Sequence, residues 1–272
     1  MPEPVAAALL IAVAIAYLVG AVLLVAALAK VLLTWLTSQR TGRAAAPVDD
    51  ALQQRAETAM AVVAQLANVA APATDVVAVL GSPAGGPERG VGDGGLAVTR
   101  FRGGRPTVVF AQAALTGLSP AAVRSLAAHE LAHVLRRARS STMARYAWLL
   151  GYLGLVLAGL ALTGSALAAT PQLAGPATLA TMAAAVAFLG IQVAFDRREE
   201  IAADLFAIDL TRDLDAATEL MRFYEDNLAR PLPARSLGHA WALLDRRCFA
   251  THPEPQARLA AMRRHLADRP AE

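Results

Sequence analysis

Two stretches of the chain abandon the usual mixing of apolar and polar positions. From Pro4 to Ala29, and again over the 50 residues from Tyr146 to Phe195, there is no Asp, Glu, Lys or Arg. About 20 apolar residues carry a helix across a hydrocarbon core. Residues 5–28 therefore predict one span, with apolar character continuing to Leu36. The second stretch is too long for one span and fits two, 146–168 and 173–195, with Thr170-Pro171-Gln172 and Gly175-Pro176 marking the turn between them. Gly154 and Ala158 offer a small-residue face for packing.

Elsewhere the pattern is that of a polar, folded chain. After a linker at 37–47, Leu52, Met60, Val63, Leu66 and Val69 recur at helical spacing behind a cap at Asp49 or Asp50. Residues 76–80 predict a buried strand and 82–95 a Gly/Pro-rich loop. Strands at 96–101 and 107–110 flank Gly103-Gly104 and predict a β-hairpin. Ser119-Pro120 places a cap and a proline at the start of a helix that runs to about 137. Beyond Asp196, helices are expected at 197–212, 215–229, 237–248 and 254–267, broken by Pro231, Pro233 and Pro253. No internal repeat is evident.

Composition sharpens this division. Of the 272 residues 56% are hydrophobic and 17% charged, against about 25% charged in an ordinary soluble domain. The deficit lies in the two uncharged stretches, which excludes a uniformly apolar soluble globule and favours a membrane protein with a polar portion of ordinary charge. The net charge is +3 and Lys30 is the only lysine among 25 basic residues. No basic tract interleaved with aromatics points to nucleic acid as a partner. The single cysteine, Cys248, excludes an internal disulfide framework and a Cys-rich zinc site, and suits a reducing compartment. Met1-Pro2-Glu3-Pro4 lacks the basic start of a signal peptide and the apolar run is too long for one, so a retained span is expected. Arg40 and Arg43, then Arg136, Arg137, Arg139 and Arg145, then Arg197 and Arg198 border the spans. The positive-inside rule puts the N-terminus outside and both polar regions in the cytoplasm of a multi-pass protein of the cell membrane. The resulting division is a span at 1–36, polar regions at 37–145 and 196–272, and a helical hairpin at 146–195.

The chemistry concentrates in His129-Glu130-Leu131-Ala132-His133. Residues four apart share a helix face, so both imidazoles can hold one metal ion while Glu130 reaches a water beside it. A catalytic zinc takes a third protein ligand, and no histidine follows closely. A carboxylate is the better candidate, and Glu199-Glu200-Ile201-Ala202-Ala203-Asp204 supplies one. Glu200 and Asp204 lie four apart, so that Glu200 can ligate while Asp204 accepts from a ligand histidine. Two spans separate His133 from Glu200, an even number, which returns both to one side of the membrane.

These residues resemble the HtpX-like integral-membrane zinc metalloproteases, related to the type I CAAX prenyl protease. The resemblance runs from about 96 to 266. It rests on Leu118-Ser119-Pro120 leading into the His129–His133 segment, on Arg198 to Asp204, and on Thr251-His252-Pro253 with Arg258 following. It departs from the family pattern in allowing one span rather than two before the metal helix, in Ala132, where glycine is common, and in lacking an Asn-Ala-x-Ala segment near 101–111. The resemblance implies a predominantly α, gluzincin-like catalytic core with a small β-hairpin or sheet and about three transmembrane helices. It also implies one zinc ion per chain on His129, His133 and Glu200, and Asp204 as partner of His129. Glu130 would be the general base, and His252, with Arg258 nearby, would help stabilise an oxyanion. The expected reaction is hydrolysis of peptide bonds in protein or peptide substrates, chiefly membrane proteins, at the cytoplasmic face. A strand at 96–101 or 107–110 would hold substrate by main-chain pairing. The rival readings are a BlaR-type signalling receptor, disfavoured by the lack of an outer sensor region, and a catalytically silent membrane scaffold.

Overall fold

The computed structural model describes residues 49–78, 95–102, 105–139, 151, 154, 155, 157–159, 161, 162, 164, 165, 168–228 and 252–269. The expected first span, the linker after it, the helix at 237–248 and Cys248 lie outside the described residues. The fold divides into two compact units, one of residues 1–38 and 141–193, the other of residues 39–140 and 194–272.

In the second unit, α1 (Asp50–Leu66) starts where the Asp49 side chain accepts from the Ala51 N–H at 2.9 Å, satisfying one of the donors a helix start leaves free. Its buried face is Ala56, Ala59, Met60, Val63 and Ala64. Three strands follow, β1 (Ala73–Val77), β2 (Ala97–Arg102) and β3 (Arg105–Ala111). They form one sheet in the order β1-β3-β2, with β1 parallel and β2 antiparallel to β3. The β2–β3 hairpin closes with Arg102 opposite Arg105. The first strand begins three residues before the expected 76–80. Its position is set by pairing of Ala73 with Thr107 and by a bond from Gln53 Nε2 to the Thr74 carbonyl, partners that local hydrophobicity does not reveal.

The short helix α2 (Gln112–Gly117) has no side-chain cap and carried no sequence signal. It ends at Gly117, where a Cβ would collide with the Phe223 ring. Helix α3 (Pro120–Arg139) is capped by Ser119 Oγ, which accepts from the Ala122 N–H at 3.2 Å. Glu219 holds the Ser119 N–H and hydroxyl, each at 2.6 Å. Leu126, Ala127, Ala128 and Leu131 of α3 are fully buried in a core shared with α1, the sheet and the C-terminal helices.

Helix α4 (Pro171–Thr211) is continuous for 41 residues. The expected break between a span at 173–195 and a helix at 197–212 is absent, and so is the turn at Gly175-Pro176. The residues where charge resumes, from Asp196 to Glu200, include neither Gly nor Pro, so polarity changes there without interrupting the backbone. Pro176 lies in the second turn and withholds only one helical donor. Among the described residues this is the one helix long and apolar enough to cross a membrane. Helices α5 (Leu214–Leu228) and α6 (Pro255–Asp268) complete the second unit. Asp213 Oδ1 caps α5 through the Ala216 N–H at 2.9 Å, and Leu220, Met221, Leu259 and Met262 join the core.

In the first unit, Leu157, Leu162, Leu173, Leu179 and Ile191 are exposed. A close approach occurs at Gly159, where a Cβ would overlap the Thr181 side chain, whereas Gly154 has nothing within 4 Å among the described residues.

Candidate metal centre

Helix α3 presents His129 and His133 one turn apart, their rings edge to face with centroids 4.7 Å apart. Their Nε2 atoms are 3.1 Å apart. Glu200 enters from α4, with Oε1 3.3 Å from His133 Nε2 and Oε2 3.6 Å from His129 Nε2. One potential ligand atom from each residue lies within 4.8 Å of the other two. Tetrahedral zinc, with bonds of about 2.0–2.2 Å to nitrogen and oxygen, separates its ligand atoms by about 3.3 Å, so the spacing fits that ion.

A second observation agrees. Glu200 Oε2 is buried without an aligned hydrogen-bond donor, although the ring nitrogen Nδ1 of the exposed His252 lies 2.8 Å from it. A buried carboxylate oxygen left in this condition is costly unless a cation meets it. The residues present fit a divalent metal.

Behind the ligands lies a buried chain of charge. His129 Nδ1 is 2.9 Å from Asp204 Oδ1. A carboxylate can only accept, so Nδ1 keeps its proton, and when the ring is neutral the lone pair lies on Nε2, turned toward Glu200 and His133. Asp204 in turn accepts two bonds from Arg258, Nη2 to Oδ1 at 2.6 Å and Nε to Oδ2 at 2.7 Å. The Arg258 guanidinium lies 5.2 Å from the centre of the Tyr224 ring, within cation–π range. Burial disfavours charge on His129, but the carboxylates of Asp204 and Glu200 outweigh it and push its pKa up to about 9. Burial also opposes the charge on Asp204, and the Arg258 hydrogen bonds overcome it and hold the carboxyl below its usual range. Burial pushes the Tyr224 phenol up.

Glu130 is buried on the same helix, and Thr99 Oγ1 of β2 donates to its Oε2 at 2.8 Å. His252 lies beside Glu200, and Arg258 is engaged with Asp204 and stands 4.0 Å from Glu200. The structure thus brings His129, Glu130, His133, Glu200, Asp204, His252 and Arg258 into one neighbourhood. His265 pairs with Asp209 at 2.9 Å, and His239 lies outside the described residues. Sequence reasoning missed Thr99, Tyr224 and the Arg136–Glu199 pair. Opposite charges flanking the two ligand segments were a usable signal for the last, and nothing local marked Tyr224.

No curated protein and no solved structure matches the chain. The model of peptidase family M48 matches residues 95–266. That match begins just before β2, ends inside α6 and takes in well over half of the sequence, so the chain belongs to peptidase family M48.

Proposed function

We propose that this protein is a membrane-embedded, zinc-dependent endopeptidase that hydrolyses peptide bonds of membrane or misfolded proteins at the cytoplasmic face of the cell membrane. The observation that carries this reading is the convergence of His129 Nε2, His133 Nε2 and the Glu200 carboxylate beside a buried Glu130. One zinc ion per chain, held by those three side chains, would supply Lewis-acid polarisation of the scissile carbonyl and of a water.

The remaining work belongs to the chain's own groups. Glu130 takes the proton of the attacking water and returns it to the leaving amine. Asp204, anchored by Arg258, keeps His129 in the tautomer whose Nε2 can ligate. Arg258 is engaged by Asp204, and among the described residues the exposed His252 is a side chain available to a developing oxyanion. Of the two strands considered for substrate, β3 is central and β2 lies at the sheet edge among the described residues. An extended substrate therefore adds to β2, next to the base, through main-chain bonds that give affinity with little sequence selectivity. The long apolar helix α4 supports a membrane setting.

The test is Glu130→Gln in detergent-purified full-length protein. The variant should keep its zinc and lose hydrolysis of casein or a membrane substrate; a rate equal to that of the parent overturns the assignment of the base.

A further inference from the structure

Thr99 sits opposite Val108 in the β2–β3 ladder and is buried. Its neighbour Val98 packs with Val109 and Ala111 in a separate cluster on the other face of the sheet, so Thr99 belongs to the face on which α3 lies. Its hydroxyl is 2.8 Å from Glu130 Oε2 and 3.2 Å from the Glu130 main-chain carbonyl. A hydroxyl has one proton to give, and the carboxylate oxygen is the acceptor at the shorter distance.

The terminal torsion of a glutamate is broad, so a carboxylate without a partner samples many orientations. Here one oxygen is taken. With Oε2 engaged by Thr99, Oε1 is the oxygen left to meet a water. A general base has to stand within hydrogen-bond reach of the proton it removes, and fixing Oε2 fixes where Oε1 points.

We propose that Thr99 is the positioning residue for the base: its hydroxyl holds Glu130 Oε2 so that Oε1 faces the reacting water. The role rests on the reading of Glu130 as base given above. It assigns to β2 a second duty, orienting the base from the strand to which substrate adds.

The experiment compares Thr99→Val, which removes the donor at nearly constant volume, with Thr99→Ser, which keeps it, in full-length zinc-loaded protein cleaving fluorescent casein. Thr99→Val should lower kcat by about 10- to 100-fold with KM nearly unchanged and zinc retained, as loss of a supporting hydrogen bond does at comparable sites. Thr99→Ser should stay within about threefold of the parent, since it restores the donor. Independently of activity, thermal midpoints of metal-free Thr99→Val, Glu130→Ala and the double variant should be non-additive, the double melting close to Glu130→Ala. An undiminished kcat in Thr99→Val, loss of its zinc, a Thr99→Ser as slow as Thr99→Val, or additive thermal losses each overturn the role of Thr99. An inactive parent, or Glu130→Gln as fast as the parent, overturns the function itself and this role with it. An active parent, a silent Glu130→Gln and an undiminished Thr99→Val overturn the role of Thr99 alone.

Discussion

Arg136 grips Glu199 with two hydrogen bonds, Nε to Oε2 and Nη2 to Oε1, each 2.7 Å long. Arg136 lies one turn past His133 and Glu199 immediately precedes Glu200, so the pair clips together the two helices that carry the ligands. Both side chains are well exposed, and such pairs contribute only about 0.2–1 kcal/mol. Arg136→Ala should therefore shift the thermal midpoint by a few degrees at most. It should weaken zinc binding several-fold, because Glu200 must then be ordered as the metal arrives. Competition against a chromophoric chelator measures this, and an unchanged affinity would show that the clip is idle.

Arg258→Met should be far more damaging to stability. Asp204 would remain buried without its counter-charge, and breaking a buried pair from one side costs about 3–5 kcal/mol. The expected outcome is a thermal midpoint lowered by many degrees. The same change frees Asp204 to sample other partners, so zinc affinity should also fall by about 10- to 100-fold.

Metal uptake should compete with a proton on His129. Its pKa in the folded protein is raised to about 9, from about 6.5 for an ordinary imidazole. The stability this gives the metal-free protein is thus fully present below about pH 6.5 and is lost as pH rises through about 9. A ligand imidazole has to be neutral. Between pH 6.5 and 8.5 the apparent zinc affinity should consequently climb by about tenfold per pH unit, one proton being released per zinc. Calorimetric titrations in buffers of different ionisation enthalpy read that proton directly.

Gly117→Ala tests the joint between α2 and α5. The added methyl meets the Phe223 ring, and overpacking of this kind costs about 1–3 kcal/mol. Pairing it with Phe223→Leu should return part of the loss, which two thermal melts would show.

The elements legible in the sequence are those whose causes are local. Asp49 before α1, Ser119-Pro120 before α3 and the Gly103-Gly104 step between β2 and β3 all act within a few residues, and the helices and hairpin they predict are present. The spacing of His129 and His133 needs only a helix to become a shared face. What remained hidden depends on partners distant in the chain: the parallel pairing of β1 with β3, Glu219 holding the start of α3, and Thr99 on Glu130. The unbroken course of α4 through Asp196 was hidden for a different reason. A change from apolar to charged residues ends a hydrophobic pattern without ending a helix.

The placement of the ligands on α3 and α4 has a topological side. A cation shared by His133 and Glu200 closes all of the chain from 134 to 199 into a loop, a constraint of the kind a disulfide imposes. With Cys248 as its single cysteine, the chain cannot form an internal disulfide. A metal bound there would be a removable staple as well as a reagent, and its removal would loosen the protein rather than merely empty a site.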